Sequence, residues 1–250
     1  MKALVTGASS GIGKDIAFYL DKLGYELILV ARDKKALDEV KSKCKNARVY
    51  VCDLAVEENV FKLYEDNKNE NIDLLVNNAG FGLFGFFTET DLDTELKMIN
   101  VNVKAIHILC KLFVKEMVSV NQGMILNVAS SSGFFAGPYL NTYYATKNYV
   151  LKLTMAINEE LKKLNSKVKI GALCPGHVDT NFNKVAGGGF NTKSLSSEYV
   201  AKYAVDKILK GKMIIVPSFK MKLLIFLSRF MPHRVLLKIL YKIQNKKITG

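Results

Sequence analysis

An α/β fold, with a doubly wound parallel sheet of about seven strands and helices on both faces, is predicted by three features of the sequence. Short apolar and β-branched runs alternate with helical patterns, which is typical of strands joined by right-handed crossovers. A glycine-rich turn connects the first predicted strand to the first predicted helix. No proline- or serine-rich linker and no internal repeat divides the chain. We therefore expect one domain over residues 1–218, extended by a helical segment over residues 219–250.

The predicted strands and helices follow one another in alternation. The strands are expected near residues 2–6, 26–31, 47–52, 72–76, 123–129, 167–173 and 213–217. The helices are expected near residues 11–23, 33–44, 56–68, 92–119, 142–164 and 197–210. Each of the first six strands is thus followed by a helix, as crossovers between parallel strands require.

The glycine-rich turn is the first candidate functional motif. The strand Lys2–Thr6 leads into Gly7-Ala8-Ser9-Ser10-Gly11-Ile12-Gly13, and a helical pattern follows. In such an arrangement bare N–H groups and the helix dipole face an anion, and glycines let a pyrophosphate approach the backbone. The Thr-Gly-x-x-x-Gly-x-Gly spacing differs from the common Gly-x-Gly-x-x-Gly of dinucleotide folds. The turn predicts a nucleotide site, with a purely structural tight turn as the alternative.

A tyrosine and a lysine four residues apart form the second motif. In Tyr143-Tyr144-Ala145-Thr146-Lys147, the phenol of Tyr143 and the ammonium of Lys147 fall on one face of a predicted long helix. A nearby ammonium stabilises a phenolate, so we expect the pKa of Tyr143 to lie below its ordinary value of about 10. Such a tyrosine exchanges a proton with an alcohol or a carbonyl. The Tyr-x-x-x-Lys pattern alone recurs by chance in many helices.

With five further segments, these motifs resemble the short-chain dehydrogenase/reductase family from residue 2 to about residue 217, in order and at the expected separations. The resemblance implies a Rossmann-type fold and hydride transfer from or to a nicotinamide cofactor. The further matches are Asp53 at the adenine, the turn Asn77-Asn78-Ala79-Gly80, the catalytic Asn102 and Ser130, and Pro175-Gly176-His177-Val178-Asp179-Thr180 at the nicotinamide. The implied cofactor contacts are Thr6, Gly7, Ser9, Ser10, Gly11, Ile12, Gly13, Asp53, Asn77, Ala79, Gly80, Tyr143, Lys147, Pro175, Gly176, Val178 and Thr180.

The resemblance also implies a role for each member of a catalytic tetrad. Tyr143 is the general acid in reduction and the general base in oxidation. Lys147 keeps the tyrosine near its working pKa and bonds the nicotinamide ribose. Ser130, thirteen residues before Tyr143, donates a hydrogen bond to the substrate oxygen. Asn102 anchors a water that links Lys147 to solvent.

The choice of two of these residues rests on the family's spacing. Tyr144 is three residues from Lys147, which is also a permitted helical contact. Ser131 and Ser132 adjoin Ser130, although alternation at a strand end points only every second residue toward a site.

The end of the second predicted strand bears on the cofactor. Enzymes that prefer NAD carry an acid there for the ribose 2′-hydroxyl, whereas this chain has Ala31-Arg32. The Arg32 guanidinium suits a 2′-phosphate in charge and in geometry. Asp33 either reaches the same ribose or caps the next helix. Ser10 occupies a position where NADP-preferring family members often have a basic residue. We predict NADP, with NAD as the alternative.

Aromatic and apolar residues surround the predicted site. Phe134, Phe135 and Tyr139 lie between Ser130 and Tyr143, where the family lines its substrate pocket. Residues 183–190, with three consecutive glycines, occupy the family's lid position and are expected to close over substrate. This composition predicts a lipophilic ketone or secondary alcohol with acyl-chain, steroid or terpenoid character rather than a sugar. For part of these aromatics, packing in the core or at a subunit interface is the alternative.

The positive charge is concentrated near the end of the sequence. The chain carries 36 Lys and Arg against 23 Asp and Glu, a formal net charge of +13. Residues 207–250 contain eleven of the basic residues and no acid, so residues 1–206 carry 25 against 23. Within 219–250 the basic residues recur among apolar ones, which predicts a basic amphipathic helix for an anionic membrane surface. Packing on its own subunit or a partner is the alternative, and no pattern predicts nucleic-acid binding.

The cysteines and histidines add little chemistry. Cys44, Cys52, Cys110 and Cys174 are scattered without metal spacing, so we expect buried thiols in a reducing compartment and no metal site. His177 is a candidate substrate contact. No signal peptide precedes the first predicted strand, so a cytoplasmic location is predicted, with residues 219–250 as a peripheral membrane contact.

The predicted function is an NAD(P)-dependent oxidoreductase that acts on a lipophilic carbonyl or secondary alcohol as a homodimer or homotetramer, the common states of the family. The competing hypothesis is a cofactor-sensing regulatory or scaffold protein on the same fold without turnover. Such proteins usually lose the tyrosine or the lysine. This chain retains Asn102, Ser130, Tyr143 and Lys147, which favours the enzyme.

Overall fold

The computed structural model describes residues 1–180, 182, 186 and 194–245, and its centre is a parallel sheet. The strands of this described part are β1 (Lys2–Thr6), β2 (Glu26–Ala31), β3 (Ala47–Val51), β4 (Leu74–Asn77), β5 (Met124–Val128), β6 (Lys169–Leu173), β7 (Val178–Asp179), β8 (Leu195–Ser196) and β9 (Ile214–Ile215). Seven of them form one sheet in the order β3-β2-β1-β4-β5-β6-β9, all parallel, while β7 pairs with β8. The predicted fold class is confirmed. The strand order reverses between β1 and β4, where doubly wound sheets bind their ligands.

Helices cover both faces of this sheet. In the described part they are α1 (Gly11–Lys22), α2 (Lys34–Lys41), α3 (Glu57–Glu65), α4 (Leu92–Ile99), α5 (Ile106–Ser119), α6 (Asn141–Lys163), α7 (Ser197–Leu209), α8 (Phe219–Ser228) and α9 (His233–Asn245). One core lies against α1, α2 and α7, and the other lies against α3, α5 and α6. In β1, Leu4 joins one core whereas Ala3 and Val5 join the other, because successive strand residues point to opposite faces.

The helix predicted over residues 92–119 is interrupted. α4 ends at Ile99, a π-helical segment covers Asn100–Ala105, and α5 begins at Ile106. The apolar pattern continues across this segment, so periodicity did not reveal the change. A π turn inside a helix frequently marks a functional site, and Asn102 lies within this one.

Residues 219–245 form two helices, which are separated at Pro232. One face of the second helix, α9, packs on the rest of the molecule. Leu236 and Leu240 pack against the core beside α6, and Gln244 is buried. These three residues are four apart, so they share one face of α9. Among the described residues no helix is long and apolar enough to cross a membrane.

Candidate active site

The turn between β1 and α1 is fixed to the turn after β4 by the side chain of Thr6. The buried Thr6 hydroxyl donates to the carbonyl of Val76 at 3.1 Å. The same oxygen accepts from the N–H groups of Asn78 (2.9 Å) and Ala79 (3.1 Å). The Asn78 amide donates in turn to the carbonyls of Thr6 (3.0 Å) and Gly7 (3.1 Å). Two loops are therefore held side by side at the carboxyl edge of the sheet, where a dinucleotide binds in this type of fold.

Two glycines of the turn cannot be replaced without strain. Gly7 has a φ of +64°, in the left-handed region that favours glycine. A Cβ on Gly13 would lie 2.3 Å from the carbonyl oxygen of Gly7. Ser10 is the N-cap of α1, but its side chain makes no capping hydrogen bond. The N–H groups of the first turn are thus left for an anion, so the turn fits a pyrophosphate.

A cavity of about 900 Å³ runs from this turn to the C-terminal helices. Its volume lies near the upper end of small-molecule sites, which span about 300–1,000 Å³. Most residues predicted from the sequence to form the site line it. They are Gly7, Ser9, Ser10, Gly11, Ile12, Arg32, Asp53, Ala79, Gly80, Ser130, Phe135, Tyr143, Lys147, Pro175, Gly176, Val178 and Thr180.

Tyr143 and Lys147 lie one turn apart on α6, and both are buried in the cavity wall. The Lys147 Nζ is 5.8 Å from the ring centroid of Tyr143. It donates to the carbonyl of Val128, at the end of β5, at 2.9 Å. A Cβ on Gly80 would lie 3.3 Å from the same Nζ. The ammonium is therefore held between α6, β5 and the turn after β4.

Burial governs the protonation of these two groups. It raises the pKa of Tyr143 to about 12, against a smaller lowering effect from Ser130. Burial also lowers the pKa of Lys147 to about 8. The expectation that Lys147 brings the pKa of Tyr143 below its ordinary value is therefore wrong for this arrangement. At neutral pH the phenol keeps its proton, which is the form that can protonate a carbonyl.

Ser130 begins a short 3₁₀ segment, Ser131–Phe134, that follows β5. Its hydroxyl oxygen accepts from the N–H of Ser132 at 3.1 Å, and the N–H of Ser131 donates to the carbonyl of Pro175 at 2.8 Å. Ser130 lowers the pKa of the Tyr143 phenol, whereas the buried Ser132 hydroxyl has no hydrogen-bond partner among the described residues. The sequence interpretation chose Ser130 over its neighbours by strand alternation, but Ser131 and Ser132 lie in the 3₁₀ segment, where that alternation does not apply, and both line the cavity.

Asn102 is fully buried and connects three elements around the tetrad. Its amide nitrogen donates to the carbonyl of Phe81 (2.9 Å) and to the Thr146 hydroxyl (3.1 Å). Its amide oxygen accepts from the N–H of Phe81 at 3.1 Å. Asn102 does not itself line the cavity. Its side chain positions the loop after Gly80 against α6, next to Lys147.

Tyr143 and Tyr144 differ in what their hydroxyl groups contact. The Tyr144 hydroxyl accepts from Nε2 of Gln244 on α9 at 2.9 Å. The Tyr143 hydroxyl instead interacts with Ser130. The structure thus separates two tyrosines that helical spacing alone leaves equivalent, and it gives Tyr144 the role of connecting α6 with α9.

Arg32 and Asp33 occupy the tip of β2, at the far end of the cavity. The Asp33 carboxylate accepts from the N–H of Ala36 at 3.0 Å and so caps α2. Asp33 also lines the cavity. A smaller adjoining hollow of about 260 Å³ is lined by Arg32, Asp53 and Lys62, among others. Lys62, on α3, was not a candidate from the sequence. The feature of the sequence that could have identified Lys62 is that it is a basic residue in the helix that follows Asp53.

Three residues predicted to contact the cofactor lie outside the cavity wall. Asn77 is buried in the core, where its amide donates to Oδ1 of Asn127 at 2.9 Å. Asn127 donates in turn to the Thr154 hydroxyl at 2.9 Å, so these amides connect β4, β5 and α6. Thr6 and Gly13 lie on the side of the glycine-rich turn that faces away from the cavity and fix its conformation. All three contribute geometry rather than cavity surface.

Two of the three predicted substrate contacts also lie outside the wall. Phe134 packs edge-on against Phe135, which alone of the three lines the cavity. Tyr139 has a φ of +66°, stacks on Phe84, and donates its hydroxyl to Asn245 at 2.9 Å. Its ring centroid lies 5.3 Å from that of Tyr241 on α9, and its contact with substrate stays a prediction.

The C-terminal helices supply pocket residues that the sequence interpretation missed. They are Met221, Leu224, Leu240, Ile243 and Gln244. The sequence feature that could have indicated them is the number of apolar residues in this segment, which is larger than one helix face packed on the core requires. Of the predicted lid, residues 183–185 and 187–190 lie outside the described residues, whereas Ala186 is buried and its carbonyl accepts from the Phe84 N–H at 2.9 Å.

The remaining candidate groups give no sign of metal or thiol chemistry. His177 lines the cavity, whereas the exposed His107 is hydrogen-bonded to the Tyr149 hydroxyl at 2.7 Å. All four cysteines are free, and burial raises the pKa of Cys110 and Cys174 to about 12. Within the part of the chain that the structure describes, no cluster of His, Cys, Asp or Glu could hold a metal ion.

A dinucleotide turn, the half-buried Ser130 and the buried Tyr143 and Lys147 open into the same cavity, which defines the class as a dehydrogenase or reductase. A family model described as short chain dehydrogenase matches residues 1–188. The chain belongs to the short-chain dehydrogenase/reductase family, and a nicotinamide dinucleotide is its cofactor class.

Similar proteins extend this likeness over most of the chain. Estradiol 17-beta-dehydrogenase 11 of Mus musculus is 32% identical over 252 residues, covering 97% of this chain and 84% of the relative. A short-chain dehydrogenase from Sphingobium yanoikuyae, solved with NADPH, has a TM-score of 0.82 at 26% identity and covers 87% of this chain and 88% of its own. A Burkholderia phymatum short-chain dehydrogenase/reductase, solved with NAD, shares the fold at 24% identity, with a TM-score of 0.82 and coverage of 91% and 92%.

Proposed function

We propose that this protein transfers a hydride between a nicotinamide cofactor and a lipophilic ketone or secondary alcohol, with Tyr143 as the general acid and base. The observation that carries the proposal is the shared cavity: the phenol of Tyr143, the glycine-rich turn and an apolar wall all face one space. The cofactor supplies the hydride chemistry, and the protein supplies position and protons.

The proton is handled by Tyr143 and its neighbours. With a pKa raised to about 12 by burial, Tyr143 holds a proton at neutral pH and can donate it to a carbonyl oxygen. Ser130, whose hydroxyl also acts on the phenol, orients and polarises the same substrate oxygen. Lys147, with a pKa of about 8, passes a replacement proton, and Asn102 positions the loop through which a water would reach it.

NADP is the proposed preferred cofactor. Arg32 lines both the cavity and the adjoining hollow, where Lys62 adds a second cation. Asp33, the nearest acid to the tip of β2, uses one carboxylate oxygen to cap α2. The hollow thus offers a 2′-phosphate two cations against one acid, Asp53, whose carboxylate accepts from the N–H of Ala55 at 3.0 Å.

The cofactor preference is tested by Arg32→Ala. We expect kcat/KM for NADPH to fall about 10- to 100-fold while that for NADH changes little, because a charged hydrogen bond to the phosphate is lost. Lys34→Ala is the matched control, since Lys34 is exposed and pairs with Asp38. Equal losses with both cofactors would contradict a 2′-phosphate contact.

The wall of the cavity supports an apolar substrate. Phe81, Phe135, Leu140, Phe182 and Leu240 line it. We propose a bulky ketone or secondary alcohol with steroid, terpenoid or acyl-chain character. The likeness to a relative named for estradiol supports this class without naming this chain's own substrate.

The proposal is tested with a panel of ketones and alcohols, followed by NADPH absorbance. We expect turnover of bulky apolar members and little turnover of sugars. Cofactor binding without turnover of any member would favour the competing function, a cofactor sensor.

Assembly and location are further parts of the proposal. Leu92, Leu96 and Ile99 expose an apolar stripe on α4 that fits a second copy of the chain in a homodimer or homotetramer. The four free cysteines fit a cytoplasmic location. Sedimentation velocity of Leu96→Glu against wild type checks the assembly, and an unchanged oligomeric state would remove α4 from it.

A further inference from the structure

The outward face of α8 is apolar along its whole length. Phe219, Leu223 and Phe226 are 79%, 49% and 54% exposed, and Phe230, just past the helix, is 75% exposed. Their spacing of four, three and four residues places them on one stripe. Ile225, on the opposite side, is buried against the core. α8 is therefore apolar on both sides, although only one side has a protein partner among the described residues.

This stripe belongs to a larger apolar surface. Eleven of the 25 exposed large hydrophobic residues of the described part lie between residues 219 and 243. On α9 they include Val235, Ile239 and Ile243, again four residues apart. Exposed apolar surfaces of this extent mark a site of interaction.

Cations surround the apolar surface without any acid. Lys220, Arg229, Arg234, Lys238 and Lys242 are exposed on or beside α8 and α9, and residues 207–250 contain no Asp or Glu. An apolar stripe between basic residues is typical of helices that lie in the interface of an anionic membrane. A second copy docked face to face would bring like charges together without compensation.

The mouth of the cavity lies within this surface. Leu224 and Ile243 both line the cavity and remain about half exposed, at 51% and 50%. Since one residue is on α8 and the other is on α9, the opening is flanked by both helices.

We propose that α8 and α9 insert their exposed apolar residues into an anionic phospholipid surface, so that the cavity opens directly onto the lipid. A lipophilic substrate dissolved in the bilayer then enters between the two helices without crossing water. The entry route rests on the proposed function, whereas the lipid contact does not. The mode of binding is peripheral, consistent with the absence of a spanning helix among the described residues.

The lipid contact is tested by co-sedimenting the full chain with phosphatidylcholine vesicles, with and without phosphatidylserine. We expect strong binding only with phosphatidylserine, reduced by salt. The triple variant Phe219→Gln, Leu223→Gln, Phe226→Gln should lose binding, and these side chains do not line the cavity. Lys220→Gln with Lys238→Gln should weaken binding roughly fivefold per cation removed.

The matched control replaces three exposed apolar residues elsewhere: Phe61→Gln, Val120→Gln and Leu164→Gln. It should bind as wild type does, and thermal melting should show that both triple variants fold. Failure of wild type to bind either vesicle, or full binding by the α8 variant, would overturn the proposal. So would a wild-type dimer that the α8 variant converts to monomer, because the surface would then belong to a second copy.

A turnover measurement separates this proposal from the proposed function. With a water-soluble ketone, wild type and the α8 variant should be equally active. With a ketone dissolved in phosphatidylserine vesicles, the variant should lose activity. If neither ketone reacts while cofactor binds, the proposed function fails and the sedimentation result still decides the lipid contact.

Discussion

The two ends of the cavity are built on opposite principles. At the cofactor end, Thr6, Asn78 and Gly13 are fixed by hydrogen bonds and by contacts that leave no room for a Cβ. At the substrate end, α8 and α9 contribute apolar side chains that are about half exposed. Residues 1–206 are nearly neutral, whereas the segment that includes these helices carries eleven cations and no acid. The chemistry thus depends on a motif with exact geometry, whereas access of the substrate to the site depends on the composition of the surface around it.

The largest expected effect is at the tyrosines on α6. Tyr143→Phe removes the proton donor, so kcat should fall on the order of 10²- to 10⁴-fold. Tyr144→Phe removes only the acceptor for Gln244 and should keep kcat within a few-fold. Steady-state kinetics at saturating cofactor measure both, and a severe loss in Tyr144→Phe alone would reverse the assignment.

The contrast between the two regions should also appear in stability. Leu75, in β4, is fully buried, so Leu75→Ala should lower the free energy of unfolding by about 2–5 kcal/mol. Leu237, on α9, is 41% exposed, so Leu237→Ala should change it by no more than about 0.5 kcal/mol. Urea titrations measure both values. A large cost at Leu237 would mean that α9 is part of the core.

A pH-dependent effect on stability is expected from the buried charge of Lys147. Its pKa is about 8 in the folded protein, against an ordinary value of 10.5 for an unfolded chain, so between these values the unfolded chain binds more protons. Stability from this group therefore rises with pH across that window, and below pH 8 the penalty is fully present. Relative to Lys147→Met, wild type should gain roughly 3 kcal/mol from pH 8 to 10.5 in unfolding experiments. A constant difference would show that Lys147 is not buried as a cation.

The cofactor end could be predicted from sequence because its constraints are local. In the turn from Gly7 to Gly13, both end positions have a backbone conformation or a close contact that only glycine tolerates. The spacing of the glycines alone therefore indicated a phosphate site. Asn77 shows the limit of this approach, since a matching motif does not reveal that its amide faces Asn127 in the core. The pKa of Tyr143 was misjudged for a related reason, because burial is a property of the packed structure.

The substrate end was harder to predict because its contacts are long-range. Tyr139 has a positive φ and packs beside Tyr241 of α9, and no pattern in the sequence forecasts that conformation. Gln244 reaches Tyr144 across 100 residues of chain, so neither periodicity nor motif spacing could pair them. The interruption at Asn102 was hidden for the opposite reason, since the apolar pattern of the helix continues across it.

The hydrogen bond between Gln244 and Tyr144 has a consequence for biosynthesis. The ribosome releases the glycine-rich turn first and α9 more than 200 residues later, so the growing chain has its dinucleotide loop long before its substrate wall is complete. Until α9 emerges, the apolar side of α6 stays open to water and to chaperones. A nascent chain stalled before α9 should therefore expose this surface, and release of the last helix should cover it.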